Sequence, residues 1–361
     1  MRLTSNSIEA DVTPGNNEPY AVFLIPERDY GRDLDMLAAV KISQLEYAIY
    51  SAGTGDWEDF THIGKSTMKQ QPLCSGEKFY IVVAGCEYGI LTSHAVSTGV
   101  ITVPYPEVSD KCTFDITAEA PDASELNLTV TPSDSDTRYV VFQKHAGKVD
   151  NPVEYFTRNL FYLNQAHKLD PAGDGAPYVH TGKKTLNNMT NVFDSELMSA
   201  GQEYVFYVIG IDEFGTPTTA IQEFRHTPGS SEKSVTLTLD FDLRNFDTTN
   251  AYYRYLWCDI TPSDAEAKYI FDKMKYAQSI LSLTDDVIVD KYIKGQYGYV
   301  TTLTGAQGKA ISPSAPWGGT EWDKIFIIAT GWDGAPTSPL YLYEFDPSNG
   351  QLTPLRGPDV K

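Results

Sequence analysis

Cysteine is scarce in this chain, with four in 361 residues, at positions 74, 86, 112 and 258 and without CxxC spacing. A disulfide framework or a structural zinc site needs more thiols at closer intervals, so neither is expected. Long apolar runs are missing too. No stretch of about 18 apolar residues occurs, which argues against a membrane-spanning helix, and no apolar signal-peptide core stands near Met1. Cations are in short supply: Lys and Arg number 28 against 48 Asp and Glu, a formal net charge of −20. A field of that sign repels phosphate backbones, so nucleic acid is not an expected partner. No long block of like charge is present, and the acidity reads as spread over solvated faces.

Catalytic templates fail in turn. HIGKS at 62–66 contains GKS, but Asp59 stands where a phosphate loop needs glycine, and no helical pattern follows. HTGKK at 180–184 occupies the corresponding place of a later repeat, which makes the shared His-x-Gly-Lys a strand feature. The six histidines form no HExxH, and no GxSxG elbow occurs. DPAGDG at 170–175 lacks the spacing and ligand count of a calcium loop and reads as a turn. No catalytic residue, cofactor or metal ligand is assigned, and an enzyme ranks last among the function classes.

What the chain does have is a threefold internal repeat. IEADVTPGNNEPYAVF from Ile8, LNLTVTPSDSDTRYVVF from Leu126 and LWCDITPSDAEAKYIF from Leu256 share alternating apolar residues, Thr-Pro, a polar turn and an aromatic-led strand. FYIVVAGCEYGILTS from Phe79, YVFYVIGIDEFGTPTT from Tyr204 and IFIIATGWDGAPTS from Ile325 repeat a strand, a glycine, an acidic turn and a second strand. Pro14, Pro132 and Pro262 stand 118 and 130 positions apart, and Gly85, Gly210 and Gly331 stand 125 and 121 apart. That is one ordinary domain per repeat. The units are placed at 1–104, 108–228 and 232–361, joined by short Pro- or Ser-rich linkers at 103–107 and 227–231.

Period-two alternation of Ile8, Ala10 and Val12, of Leu126, Leu128 and Val130, and of Leu256, Cys258 and Ile260 predicts strands with one buried face. Proline then ends the ladder for want of an N–H. The class is all-β: three tandem sandwiches. One helix is inserted in each after the third strand. Leu34, Leu37, Ala38, Ile42, Leu45 and Ile49 recur at helical spacing behind Asp33 as N-cap; Val153, Phe156, Leu160 and Leu163 follow Asp150 and Pro152; Val287, Ile288 and Tyr292 follow Thr284. Each helix is expected to cover its own sandwich. The first unit has only residues 1–7 ahead of its second-strand segment, so a first strand and a targeting segment are expected upstream of Met1.

LMSAGQEY at 197–204 resembles the tyrosine corner of fibronectin type III sandwiches, in which a Leu, a turn Gly and a Tyr pin the connection before the sixth strand. LCSGEKF at 73–79 is similar with Phe in place of Tyr, and GTEW at 319–322 is a displaced version. With the Gly-x-acidic turn, Thr-Pro-Ser-Asp and the inserted helix, the chain resembles the tandem fibronectin type III-like, Ig-like domains of surface lipoproteins from gut-dwelling Gram-negative bacteria. The resemblance implies an extracellular or outer-surface location.

Aromatics carry the functional colour: 23 Tyr and 5 Trp. Tyr253, Tyr255 and Trp257 alternate with the inward set of the third unit and point outward, while Trp332 and Asp333 sit in the turn after its sixth strand. With Trp317 and Trp322, they make the third unit the expected ligand-binding one, through Trp332, Asp333, Tyr255, Trp257 and Trp322. The expected function is a non-catalytic surface binding or adhesion protein whose partner is a glycan or a surface protein. The alternative is a structural spacer or assembly subunit. Oligomeric state is not read from the sequence.

Overall fold

The architecture comes from a computed structural model; the structure describes residues 1–30, 33–166, 169, 178–187, 189, 196–229, 231–245, 254–298, 300–312, 324–358 and 360. The first unit runs β1 (Arg2–Leu3), β2 (Ile8–Val12), β3 (Tyr20–Pro26), α1 (Leu34–Ala52), α2 (Trp57–Phe60), β4 (Ser66–Gln70), β5 (Lys78–Glu87), β6 (Ile90–Leu91), β7 (Val96–Ser97) and β8 (Ile101–Thr102). The second runs β9 (Phe114–Asp122), β10 (Glu125–Pro132), β11 (Tyr139–His145), α3 (Pro152–Gln165), β12 (Lys184–Leu186), β13 (Tyr204–Gly210) and β14 (Gln222–His226). The third runs β15 (Leu237–Asn245), β16 (Arg254–Pro262), β17 (Lys268–Lys275), α4 (Asp285–Ile293), β18 (Leu303–Thr304), β19 (Gln307–Ile311), β20 (Ile325–Gly331), β21 (Tyr341–Asp346) and β22 (Gln351–Arg356).

The same antiparallel sandwich is built three times. One sheet joins the first two strands to one that follows the helix, in the orders β1-β2-β4, β12-β10-β9 and β15-β16-β19. The other pairs the third strand with a long central one, as β3-β5, β11-β13-β14 and β18-β17-β20-β21-β22. Short strands β6, β7 and β8 all pair with β5. This is the fibronectin type III-like arrangement. The alternating residues face inward as one set: Leu126, Leu128 and Val130 are buried against Tyr139, Phe206 and Val208, and Leu256, Cys258 and Ile260 against Tyr269 and Ile327. The first unit has a first strand after all, but of only two residues, Arg2 and Leu3, against Glu9 and Ile8.

The central strands are buried on both faces. Every residue of β13 and of β20 is buried, which is why YVFYVIG and IFIIATG read as unbroken apolar runs rather than alternating ones. The helices supply the second cover. Phe156 and Leu160 of α3 pack on Val140, Phe142, Val205 and Tyr207; Ile288, Val289 and Tyr292 of α4 pack on Ile270, Phe326 and Ile328; Ile42 and Ile49 of α1 pack on Ala21 and Cys86. Burying each large apolar side chain in such a layer contributes about 1.5–3 kcal/mol. Asp33 caps α1 by accepting from the N–H groups of Asp35 and Met36. The cap of α3 is Asn151, one residue past Asp150, with Pro152 opening the helix. Val153 and Val287 are exposed rather than buried, whereas Phe156 and Ile288 of the same helices are fully buried. Tyr292 of α4 donates to the Asp272 carboxylate at 2.6 Å, and burial holds that carboxyl above its ordinary value. The first unit exceeds one helix: α2 adds a four-residue turn after α1.

A tyrosine latch closes each sandwich. Tyr20 and Tyr139 open the third strand of their units, Tyr269 is the second residue of its own, and all three are buried. Each donates its hydroxyl to a glycine carbonyl on the far side: Gly64 at 2.8 Å, Gly182 at 3.0 Å and Gly305 at 2.9 Å. All three glycines have positive φ, between 61° and 72°, so the turn that presents the carbonyl disfavours a side chain. His62 and His180 exchange backbone hydrogen bonds with Tyr20 and Tyr139, which makes His-x-Gly-Lys a strand feature. Burial pushes the hydroxyls of Tyr139 and Tyr269 up to about 12. The tyrosine corner is formed in the second unit, where the Tyr204 hydroxyl accepts from the Ser199 N–H at 2.7 Å. Phe79 keeps the packing in the first unit. Trp322 and the Asp170 turn lie outside the described residues. All four cysteines are buried and free.

Tyr139→Phe and Tyr204→Phe should each destabilise the second unit by about 1–2 kcal/mol, since a half-buried carbonyl or N–H loses its partner while packing is kept. Urea unfolding with amide exchange read over β11 and β13 checks this; unchanged protection would show the latch and corner to be dispensable.

Candidate functional site

The third-unit residues divide. Tyr255 and Trp257 do lie on the outer face of β16, half-buried. The Trp257 indole lies across β19, where a Cβ on Gly308 would meet its ring at 2.4 Å. Its N–H donates to Asp259 at 2.9 Å, and the Arg244 guanidinium covers its face at 4.5 Å, so that ring is occupied within its own sheet. Trp332 and Asp333 belong to the other sheet and are not brought together with them. Trp332 is 2% exposed and Asp333 7%. Their expected role as an accessible ligand platform is therefore corrected. Trp317, Trp322 and Tyr253 lie outside the described residues.

The turn that carries Trp332 is a plug between the second and third units. Trp332 packs with Ile280, Phe326 and Leu340 of its own unit and with Leu197 from the corner of the second. Its indole N–H meets no acceptor among the described residues, so packing rather than hydrogen bonding holds it. Leu197 N–H donates to the Ile293 carbonyl at 2.9 Å and Ala200 N–H to the Gly334 carbonyl at 2.8 Å. At Gly334, φ is +73° and a Cβ would stand 2.9 Å from the Ala123 carbonyl oxygen, so only glycine suits that contact. Lys268, at the start of β17, reaches across to Asp122 at 2.7 Å and to Glu125. Desolvation pulls its ammonium down, but the hydrogen bonds and charges of the two carboxylates outweigh it and leave it above the ordinary value. Asp122 in turn is held low, its own desolvation outweighed by Lys268 and Ser124.

The first joint uses the equivalent parts and leaves them open. Asn6 donates to Thr216, in the acidic turn of the second unit, at 3.4 Å. Beside it opens a cleft of about 510 Å³, inside the ~300–1,000 Å³ range of small-molecule sites. The first unit lines it with Leu24 and Pro26 of β3, Glu27 and Arg28 just after, Leu73 and Glu77 of the corner, and Lys78 and Phe79 of β5; the second adds Arg158 and Tyr162 of α3. Glu154, Arg158 and Tyr162 recur every fourth residue and so share the exposed face of that helix. Tyr162 is 57% exposed. Lys78 pairs loosely with Glu27 at 3.6 Å; among the described residues Arg28 and Arg158 have no carboxylate partner. The linker Tyr105 lies over Gly76, where a Cβ would meet its hydroxyl at 2.5 Å. Beneath, burial pushes the Cys74 thiol up to about 11, too high for a nucleophile at neutral pH.

No protein-family model and no curated protein matches the chain. Among solved structures it is similar to the chicken CNTN1 FN1-FN3 domains, at 7% identity and a TM-score of 0.25, with 96% of this chain and 95% of that one covered. Among the described residues no helix is long and apolar enough to cross a membrane.

Neither the Lys268 clamp nor the cleft was found from the sequence. The one available signal for the clamp is a basic residue directly before the latch tyrosine, Arg138 and Lys268, yet Arg138 turns inward to the Asp212 and Leu169 carbonyls. Lys268→Met should loosen the second joint by about 2–3 kcal/mol, below the ~3–5 of a fully buried pair because the carboxylates keep some exposure. Asp122 works the same way from the acid side: with its folded value depressed, its stabilisation is present above pH 3.8 and is lost as pH falls through that lower value. Faster amide exchange at Leu197 and Ala200 in the variant checks the clamp; unaltered exchange would remove it from the joint.

Proposed function

We propose that this chain is a non-catalytic binding or adhesion module of the outer cell surface, three sandwiches at 1–104, 108–228 and 232–361, that engages a glycan or a surface protein. The observation that carries the reading is the cleft at the first joint, where two guanidinium groups without carboxylate partners among the described residues and an exposed tyrosine ring converge from two units. Exposed cationic groups and an aromatic ring gathered in one concavity suit recognition more than packing. The spacer reading rests on a different observation, the plugged second joint, where Trp332, Gly334 and Lys268 lock neighbouring units. The two are compatible: a stiff joint can hold an open one at a distance from the cell.

Glycan-array screening of the full chain beside Arg158→Ala decides between them. A ligand bound by the parent and lost in the variant supports the binding module. Silence across the array, together with thermal stability unchanged by any arrayed sugar, favours the spacer. Trp332→Ala is unsuited to this purpose, since it empties the joint and should lower stability by about 3–5 kcal/mol.

A further inference from the structure

The binding reading leaves the ligand open, and the walls of the cleft narrow it. Five charged side chains line the space: Arg28, Lys78 and Arg158 against Glu27 and Glu77. Once Lys78 is set against Glu27, two guanidinium groups face one carboxylate, so the cleft is locally cationic in a chain of net charge −20. A second hollow of about 380 Å³ adjoins it at Arg158 and continues along α3 to Lys148, past Asp150, Glu154 and Tyr155, so that its own lining is balanced in charge and the excess of cations lies in the first hollow. The two hollows share Arg158 and lie along one helix face, a shape suited to an extended chain rather than to a single small anion.

We propose that this groove binds an acidic oligosaccharide, and the inference rests on the binding-module reading above. Arg28 and Arg158 take a carboxylate or sulfate, for which the planar guanidinium fork is matched. The exposed Tyr162 ring stacks on the apolar face of a sugar, as amphipathic aromatics do at wet interfaces. The Glu77 and Glu154 carboxylates can accept hydrogen bonds, and ring hydroxyls supply donors at every residue of a saccharide, which a plain phosphate does not. They also oppose a polyacidic peptide, which brings carboxylates without ring hydroxyls.

The test is calorimetric titration of the full chain, at low and physiological salt, with a galacturonate oligomer, a sulfated oligosaccharide, the methyl-esterified neutral galacturonate and an acidic peptide of equal charge. Binding of either acidic sugar, weakened about tenfold by Arg158→Gln, by Arg28→Gln and by Tyr162→Ala, a factor worth ~1.4 kcal/mol, and unchanged by Lys233→Gln in the third unit, is the expected result; the stronger of the two acidic sugars identifies carboxylate or sulfate. All three groove residues are exposed at the surface, so their substitution should leave the fold intact, and circular dichroism checks that. Equal binding of the neutral ester overturns the acidic class while leaving the binding module standing. Equal binding of the peptide overturns the saccharide. If no acidic probe binds at either salt concentration, the inference fails whatever the array shows, and silence on the array as well sinks both.

Discussion

Burial of the central strand on both faces is the constraint from which the rest of this structure follows. A sandwich needs only one apolar face per sheet, because solvent can take the other. Here β13 and β20 leave no residue exposed, so the sheet they centre cannot stand in water and a helix has to cover its outer side. The chain inserts that helix between the third strand and the return to the first sheet. Its stripe then meets Phe142 and Tyr207, or Ile270 and Phe326, at the one place where apolar area is still open. The opposite face of the helix is left free, and in α3 that face carries Arg158 and Tyr162. The functional reading thus depends on a packing requirement: the helix is there to cover a sheet, and its outward residues are available because of it.

The joints reuse the same logic. The second and third sandwiches each end their central strand in a glycine and an acidic turn, and that turn faces the corner of the preceding unit. At the second joint the turn bears Trp332, and the large ring fills the space between two sandwiches with the corner residue Leu197. The equivalent stretch of the second unit bears Phe214 and Thr216, and a gap of about 20 Å³ remains where it meets Ser5, Leu73 and Phe161. Phe214 is partly exposed there. Charge follows size: the second joint adds Lys268 between Asp122 and Glu125, whereas the turn between β1 and β2 presents Thr4, Asn6 and Ser7, which hydrogen-bond mainly to one another. One repeat is closed and the other open because of a few side chains on an otherwise repeated frame.

Much of this frame was legible. Alternation in 126–130 and 256–260 placed the inward sets because a strand's period leaves one face for the core, and a register slip would have exposed all of them. Helical stripes located α1 and α3, and LMSAGQEY located the corner bond at Tyr204, because those signals are local. What failed was everything decided between units. Trp332 in a polar turn looks like a presented ring when read along the chain; that the ring is covered at the joint with Leu197 of the second unit depends on how two domains meet, which no local spacing encodes. Arg28 and Arg158 are 130 positions apart and acquire a common role only when α3 of one unit faces β3 of another. The Tyr139 latch falls between these cases: the tyrosine and the glycine recur visibly in the repeats, yet the hydrogen bond joining them spans two sheets.

Charge gives the open joint its character. A surface of net charge −20 opposes the approach of any anion, but the opposition is screened beyond about 8 Å at physiological ionic strength. Inside the cleft the relevant distances are shorter than that. Opposite charges about 4 Å apart near a protein surface attract by roughly 4 kcal/mol at an effective dielectric of 20, before desolvation is subtracted. Low salt therefore extends the reach of the repelling field more than it strengthens the contact, while high salt weakens the contact itself. An anionic ligand would have to be caught at short range, by groups held on rigid elements. Arg158 and Tyr162 meet that condition, because α3 is fixed to its sheet by Phe156 and Leu160, both fully buried, and the stiffness of the site derives from the same apolar cover that made the helix necessary.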